Sequence, residues 1–376
     1  MAIMAMDHVR DFFHTDAYHF SPEDLTRTTG ILFFTRWITH FCAPVFVFLA
    51  GVSVFLARSR WGGPAAVSRH LITRGVWLIV LEWTVFEFMW TFNFRYELVV
   101  IQVIWVIGWS MILLAGLIWL PRRVVAVFAL ATIALHNLFD GVAAARFGGW
   151  SWLWNLLHAP TLMVAGHTRI LVSYPLIPWI AVMAAGYCFG PVMQWEGDRR
   201  RRFLLRLGSA LTAAFFVVRL VNVYGDPQHW SVQRSFGLTV MSFLRVSKYP
   251  PSLSYLLMTL GPAILLLGLI DRVRVRETNP LRVFGRVPMF YYVMHFYTIH
   301  AAAEVFSGLR YGRWDYFLHF PGALLGLPDP EFPKDWGYNL AEVYLIWLSI
   351  VVLLYFPCRW YLGVKQRSRS PWLSYL

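Results

Sequence analysis

Residues 31–57 read ILFFTRWITHFCAPVFVFLAGVSVFLA, and the basic residues Arg58 and Arg60 follow at once. A helix needs about 20 apolar residues to cross a bilayer, so this stretch is long enough to span one. Comparable apolar runs recur along the chain, at 73–92, 98–120, 124–140, 170–194, 203–224, 252–270, 287–307 and 340–358. The pattern predicts an all-α, polytopic integral membrane helix bundle, folded as a single transmembrane domain over 1–376.

The composition excludes the main soluble classes. Only 14% of the residues are charged, against roughly 25% in soluble domains, so the chain has too little charge to cover a soluble surface. The net charge of +13 is spread in short clusters between apolar runs, which is typical of membrane loops, and no nucleic acid partner is expected. Cys42, Cys188 and Cys358 lie in or beside apolar runs, and their spacing predicts neither a zinc site nor disulfides.

Residues 1–13, MAIMAMDHVRDFF, resemble the second half of a membrane span. A complete span needs roughly a dozen further apolar residues upstream. We therefore expect a truncated first helix and a native start before Met1, which brings the total to about ten spans. The alternative is a short amphipathic helix at the membrane interface.

Basic residues divide the loops into two alternating sets. The richer set comprises Arg58, Arg60, Arg69, Arg74, Arg122, Arg123, Arg199, Arg200, Arg201, Arg202, Arg206, Arg272, Arg274, Arg276, Arg282, Arg286, Arg359, Lys365, Arg367 and Arg369. The positive-inside rule places this set, and hence the C-terminus, in the cytoplasm. The opposite loops, about 14–27, 141–169, 225–251 and 308–339, are long and aromatic.

Ionisable residues inside spans cost several kcal/mol and usually face a cavity or a partner. The densest group is Asp7, His8, Arg10 and Asp11, followed by His14. Asp7 and Asp11 share one helix face, within pairing reach of Arg10. Other candidates are Arg36 with His40, one turn before a kink expected at Pro44; Glu82; His136 with Asp140; His295; and His300 with Glu304. For the His136 and His300 pairs, structural and functional roles remain equally open.

The chemistry of these residue types favours proton transfer or acyl transfer. A histidine beside carboxylates can act as a general base on a hydroxyl or amine, or as an acyl carrier. The chain has no G-x-S-x-G elbow, no phosphate-cradling glycine loop, no H-E-x-x-H and no paired-cysteine site. Hydrolase and nucleotidase functions are therefore disfavoured, and no metal site is expected.

Five stretches resemble bacterial members of the heparan-α-glucosaminide N-acetyltransferase catalytic-domain family, a branch of the transmembrane acyltransferases. They are MAMDHVRDFFH at 4–14, THFCAPVFVFLAG at 39–51, YPLIPWIAVMAAGYCFG at 174–190, KYPPSLSYLLMTLGP at 248–262 and NPLRVFGRVPMFYYVMH at 279–295. The resemblance runs over essentially the whole chain in the same order. It is specific for the family and much less so for a substrate.

The resemblance implies a bundle of ten or eleven helices that moves an acyl group from cytoplasmic acyl-coenzyme A to an acceptor, commonly a sugar, on the far side. In the wider superfamily the first helix carries an arginine and, further on, a histidine that serves in transfer. His8 matches that histidine by context, while the arginine would precede Met1. The eukaryotic branch uses a histidine in the following loop, for which His14 or His19 is the counterpart. His40 before Cys-Ala-Pro fits the bacterial branch.

Residues and resemblance together predict an inner-membrane acyltransferase that transfers an acyl group, most simply acetyl, to an envelope sugar or glycan. His8 is the base or acyl carrier, with Asp7, Asp11, Arg10 and His40 as catalytic partners. Four residues are expected to bind substrate: His14, His19, Arg36 and His295. Arg282 and Arg286 are expected to contact the coenzyme's phosphates by charge.

Acyl-coenzyme A is thus the expected donor, and membrane lipid and the acceptor are the expected partners; an oligomer stays open. A proton-coupled transporter is the alternative, because buried Asp, His, Glu and Arg residues also suit a proton relay. No inverted repeat is visible by eye, although such repeats are often hidden. A non-catalytic scaffold is disfavoured by the cost of so many buried polar groups.

Overall fold

The computed structural model describes residues 1–318 and 332–368. Residues 319–331 of the predicted loop 308–339, and Arg369, lie outside the described residues. The elements are α1 (Ala2–Phe13), α2 (Gly30–Thr39), α3 (Cys42–Trp61), α4 (Pro64–Leu81), α5 (Glu87–Thr91), β1 (Leu98–Ile101), α6 (Val103–Leu117), α7 (Arg122–Leu135), α8 (Ser151–Leu157), β2 (Thr161–Ala165), β3 (Thr168–Val172), α9 (Leu176–Phe189), α10 (Gly197–Val221), α11 (Phe236–Leu244), α12 (Leu253–Ile270), α13 (Pro280–Arg286), α14 (Pro288–Tyr311) and α15 (Leu340–Arg367).

The predicted polytopic helical membrane fold is confirmed. Among the described residues, six helical segments are long and apolar enough to cross a membrane: Gly30–Trp61, Arg122–Phe139, Leu176–Gln194, Gly197–Val221, Leu253–Ile270 and Leu340–Arg367. Helix α6 is apolar but has 15 residues, and α1 has 12. Helix α14 has the length, yet it carries His295, His300 and Glu304, which lower its mean hydropathy.

The chain forms two compact units. The first contains segments 1–42, 85–95 and 274–376, and therefore α1, α2, α5, α13, α14 and α15. The second contains segments 43–84 and 96–273, which hold the other helices and the three strands. Every candidate catalytic and substrate-binding residue predicted from the sequence belongs to the first unit.

Helix α1 is buried inside the first unit, between α14 and α15. Helix α1 runs parallel to α14, because later residues of α1 contact later residues of α14. The ring centroid of Phe12 lies 5.2 Å from that of His300, and the centroid of Phe13 lies 5.5 Å from that of Phe306. Helix α15 runs the opposite way, since Trp347 Nε1 donates to the Ala2 carbonyl at 2.8 Å while Tyr338, just before α15, donates its amide to Phe13 O. The polar residues of α1 are therefore held inside protein.

The break between α2 and α3 falls at His40 and Phe41, as the kink predicted from Pro44 requires. A proline ring clashes with the carbonyl four residues earlier, which here is that of His40, and it offers no amide hydrogen. The helix therefore stops at Thr39 and restarts at Cys42. Its interruption leaves His40 at the end of α2, on the same helix as Arg36.

A small sheet in the second unit departs from the all-helical expectation. Its strand order is β1-β3-β2, with β1 parallel and β2 antiparallel to β3. The predicted spans 98–120 and 170–194 therefore begin as strands and become helical only at Val103 and Leu176. The β-branched runs favour extended backbone, and Gly166, with φ of 62°, supplies the tight turn of the β2–β3 hairpin.

Close helix packing in the second unit depends on glycine, and Gly186 on α9 gives a direct test. A Cβ atom there would overlap the Phe48 carbonyl oxygen of α3, whereas a Cβ at Gly116 on α6 would meet nothing within 4 Å. We expect Gly186→Ala to lower the free energy of unfolding by about 1–3 kcal/mol, the usual cost of overpacking. Gly116→Ala should be neutral or stabilising. Thermal unfolding in detergent measures both, and equal midpoints for the two variants would contradict the close approach.

Candidate active site

The inner face of α1 places one guanidinium between two carboxylates. Arg10 Nη2 lies 2.9 Å from Asp7 Oδ1 and 2.5 Å from Asp11 Oδ1. Asp7 and Arg10 are three residues apart, a spacing that puts both on one helix face. The Arg10 side chain is only 4% exposed, so these carboxylates take the place of water around its charge.

Helix α2 extends this pairing through Arg36. Its Nη1 lies 2.5 Å from Asp7 Oδ2, and its Nε lies 3.6 Å from Glu23 Oε1. The same Glu23 oxygen lies 2.9 Å from His40 Nε2. Because a carboxylate only accepts, His40 donates from Nε2, and the ring is fixed by this bond.

These contacts form one ion-pair chain of alternating acidic and basic side chains, which ends at the hydrogen bond from His40. Its members are Asp11, Arg10, Asp7, Arg36, Glu23 and His40. Isolated charges at this depth would be expensive, and alternation lets each charge stabilise the next. Spacing alone predicted the pairing within α1. The link to α2 is what the structure adds, because it fixes the two helices against each other beside His8.

His8 points into a cluster of rings from α5 and α14. Its ring centroid lies 4.7 Å from Phe296, 5.4 Å from His295 and 6.1 Å from Trp90. Phe296 and Trp90 also contact each other, with centroids 4.4 Å apart. The cluster therefore surrounds two imidazoles with apolar walls, an environment in which a proton transfer between bound groups is shielded from water.

His295 is fully buried and its tautomer is determined by the backbone. Its Nδ1 lies 3.0 Å from the Tyr291 carbonyl oxygen, which can only accept, so Nδ1 carries the hydrogen. Nε2 makes no hydrogen bond to any of the residues described in the structure. The neutral ring thus offers a lone pair at Nε2, which is the state a general base requires.

Helices α1 and α2 lie within a segment of the chain that matches a known family, whereas α14 lies beyond that segment. Residues 1–221 match the catalytic family of heparan-alpha-glucosaminide N-acetyltransferase, a segment that runs from α1 to the end of α10 and covers more than half of the chain. The chain belongs to this family. Membership supports a membrane acetyltransferase-type function. No curated protein and no solved structure matches the chain.

Two histidines near the end of α1 occupy different environments in this family member. His14 is 6% exposed, and its Nδ1 accepts the Asp16 amide hydrogen at 3.2 Å, which caps a short 3₁₀ helix. Burial lowers the pKa of His14; Asp16 opposes that effect and Arg10 adds to it. His19 is exposed instead. The geometry thus gives His14 a capping role, and leaves His19 accessible to an acceptor.

Arg282 and Arg286 lie on α13, directly before α14. Arg282 donates to Glu277 Oε1 and to the Val275 carbonyl oxygen, at 3.0 and 2.9 Å. Arg286 is exposed and has no ion-pair partner among the described residues. Since α14 begins at Pro288, His295 lies about 10 Å farther along the helix axis at 1.5 Å per residue.

His300 and Glu304 lie one turn from each other, farther along α14, and contact the backbone of neighbouring segments. The two ring nitrogens of His300 lie 2.8 Å from the carbonyl oxygens of Met89 and Phe317. Glu304 accepts the Phe317 amide hydrogen at 2.9 Å. A neutral imidazole donates to one of these carbonyls and only contacts the other. Both side chains thus contact backbone groups of neighbouring segments, which favours the structural role for this pair.

Sequence reasoning missed two residues of the site. Glu23 lies in an irregular loop and had no periodic pattern to single it out, yet it joins Arg36 to His40. Trp90 lies within an apolar run and resembled an ordinary core aromatic. His295 was predicted to bind substrate, and the structure places its ring against His8.

Proposed function

We propose that this protein transfers an acetyl group from acetyl-coenzyme A to a hydroxyl or amine of an envelope sugar, across the bacterial inner membrane. The observation that carries the proposal is the pairing of His8 with His295, whose ring centroids lie 5.4 Å apart inside an aromatic cluster. Family membership supports the acetyltransferase chemistry. The choice of acetyl-coenzyme A as donor, of a sugar as acceptor and of the bacterial inner membrane as location is part of the proposal.

The histidines provide the base that the reaction needs. In direct transfer, an imidazole removes the proton of the acceptor hydroxyl or amine, whose oxygen or nitrogen attacks the thioester carbonyl; the carbon–sulfur bond then breaks and the thiolate takes the proton. In the covalent route, a His8 nitrogen attacks the thioester carbonyl, the carbon–sulfur bond breaks, and the thiolate leaves with the proton of the other ring nitrogen. The acceptor then attacks the acetyl group, the carbon–nitrogen bond to His8 breaks, and the acceptor's proton returns to the ring. An acetyl-histidine trapped by acid quench would distinguish the second route.

The ion-pair chain positions this base and does not itself react. Arg10 and Arg36 clamp Asp7, the residue next to His8, and so fix the rotation of α1. We assign Asp7, Arg10, Asp11 and His40 to this positioning role within the catalytic site. An imidazolium formed at His8 during transfer also gains stabilisation from carboxylates nearby.

Donor and acceptor approach from opposite ends of α14 in this proposal. Arg282 and Arg286 lie before its first residue and carry the positive charge that suits coenzyme phosphates. His19 is exposed beyond the far end of α1. The positive-inside rule favours a cytoplasmic position for the arginines and the C-terminus. In this proposal His8 and His295 then lie between a donor from inside and an acceptor from outside.

Proton-coupled transport is the second candidate, and the ion-pair chain is the observation that favours it. Alternating acids, bases and His40 resemble the proton relays of membrane carriers. One experiment separates the two functions. Native membranes that contain the protein are incubated with acetyl-coenzyme A labelled in the acetyl group, with glucosamine as acceptor and with proton flux recorded in parallel. Labelled sugar supports transfer; proton flux without labelled product supports the carrier.

His295→Asn should lower the rate of acetyl transfer by about 10²- to 10⁴-fold, the usual contribution of a general base. Asparagine keeps a hydrogen-bond donor for the Tyr291 carbonyl and removes the basic Nε2. The readout is kcat against pH with the labelled donor, because loss of a base removes the acidic limb of the profile. An unchanged kcat would show that His295 only packs against His8.

A further inference from the structure

Three residues of the second unit converge at the end of α7, outside the candidate active site. His136 begins the 3₁₀ turn His136–Phe139, Asp140 ends it, and His158 follows α8. One ligand atom from each lies within 4.8 Å of the other two. His136 and His158 are 2% and 3% exposed, so two imidazoles and a carboxylate face one another with little access to water.

The two imidazoles are unsatisfied as hydrogen-bonding groups. None of the four ring nitrogens of His136 and His158 makes a hydrogen bond to a residue that the structure describes. The large majority of buried side-chain nitrogens in proteins make a hydrogen bond. A buried nitrogen without a hydrogen-bond partner lowers the stability of the fold by about 1–3 kcal/mol. A bound cation lowers this cost, because each neutral imidazole can give it the lone pair of one ring nitrogen.

The separation of His158 and Asp140 suits two ligands of one metal better than a direct hydrogen bond. His158 Nε2 lies 3.4 Å from Asp140 Oδ1, which is longer than the 2.9–3.0 Å typical of an N–H···O hydrogen bond. Ligands about 2.0–2.1 Å from a tetrahedral Zn²⁺ lie roughly 3.3–3.4 Å from each other. The observed separation therefore equals one edge of such a coordination tetrahedron.

Neighbouring side chains orient the carboxylate. The Asn137 amide donates to Asp140 Oδ2 at 2.8 Å, which leaves Oδ1 directed toward His158. Asn137 is itself held, because its oxygen accepts the Leu253 amide hydrogen at 2.9 Å. The ring of Trp154 lies 5.2 Å from that of His158. Hydrogen-bonded carboxylates with a supporting shell of this kind are characteristic of metal ligands.

We propose that His136, Asp140 and His158 bind one divalent transition-metal ion, with Zn²⁺ as the best fit. Two imidazoles and one carboxylate favour Zn²⁺ over Mg²⁺ or Ca²⁺, which prefer oxygen ligands. Three protein ligands leave a fourth position for water. The ion ties the end of α7 to the end of α8 and so closes the segment 141–157. The i,i+4 pair His136 and Asp140 was visible in the sequence, whereas His158 was not.

The test uses the full-length protein in detergent, purified through a tag without histidines, because a polyhistidine tag binds zinc itself. After EDTA treatment and removal of the chelator, Zn²⁺ is titrated calorimetrically and bound metal is measured by mass spectrometry. We expect one equivalent of zinc and a higher unfolding midpoint. Cobalt(II) should give the visible absorption of a tetrahedral site. No zinc above the level of the His136→Gln/His158→Gln double variant would overturn the proposal.

Matched variants locate the ion. His158→Gln and Asp140→Asn should weaken zinc binding by more than the about 10–100-fold loss usual for an outer-shell residue. His167→Gln, an exposed histidine of the same loop region, should bind zinc as the parent does. Each variant is accepted only if it elutes as a single species in size-exclusion chromatography. Full zinc binding by a folded His158→Gln protein, or equal loss in His167→Gln, would contradict the assignment.

Discussion

Replacing His8 with alanine is expected to lower acetyl transfer by about 10²- to 10⁴-fold, the range of general-base contributions. The ring is the polar group of α1 that lies against His295, and the proposed reaction uses the two imidazoles together, so the loss of either one slows transfer. We expect the loss in kcat, with the KM for acetyl-coenzyme A nearly unchanged, because the proposed phosphate contacts are on α13. The measurement is transfer of labelled acetyl by purified protein in detergent.

A histidine outside the site provides the control for this prediction. His70 on α4 belongs to the second unit, and its ring stacks on Trp61 with centroids 4.0 Å apart. His70→Ala should keep the parent's transfer rate. If His8→Ala is as active as His70→Ala while both proteins remain folded, His8 takes no part in the chemistry.

Replacing Arg10 with glutamine is expected to lower the free energy of unfolding by about 3–5 kcal/mol, the cost of breaking a buried ion pair on one side. Asp7 and Asp11 each lose a charged partner. Arg36 still pairs with Asp7, so the damage should concentrate on Asp11 and on the rotation of α1. Unfolding midpoints in detergent, measured by intrinsic tryptophan fluorescence, report the loss.

An exposed ion pair supplies the comparison. Arg313 pairs with Asp315 at 2.8 Å, but the two side chains are 46% and 52% exposed. Arg313→Gln should leave the unfolding midpoint nearly unchanged, as is usual for exposed ion pairs. Arg10→Lys should recover part of the stability because it restores a positive charge. If Arg10→Gln and Arg313→Gln unfold at the same midpoint, the ion-pair chain does not stabilise the fold more than an exposed pair does.

Apolar runs and a single proline predicted much of the fold. The run 31–57 became α2 and α3, and Pro44 correctly indicated the interruption before Cys42. The strands β1 and β3 were hidden because a short β-branched run at the start of a longer apolar stretch has no period that separates strand from helix. Only the pairing with a distant segment, seen in Val99 opposite Ile170, distinguishes them.

The site was predictable where its chemistry was local in sequence. Asp7, Arg10 and Asp11 follow helix periodicity, so their pairing could be expected. Glu23 and His158 come from irregular segments, and their roles depend on which distant residues the fold brings beside them. Sequence spacing holds no such information, and for this reason the sequence predicted no metal site, whereas the structure leads us to propose one.

The most direct test of the account is acetyl transfer across a sealed membrane. Proteoliposomes with one orientation are loaded with acetyl-labelled acetyl-coenzyme A, and glucosamine is supplied outside. The account predicts N-acetylated, labelled sugar outside, release of free coenzyme A inside in equal amount, and loss of both with His8→Ala. The account would be contradicted if the folded parent protein left all the label inside the liposomes, on coenzyme A that remains acetylated.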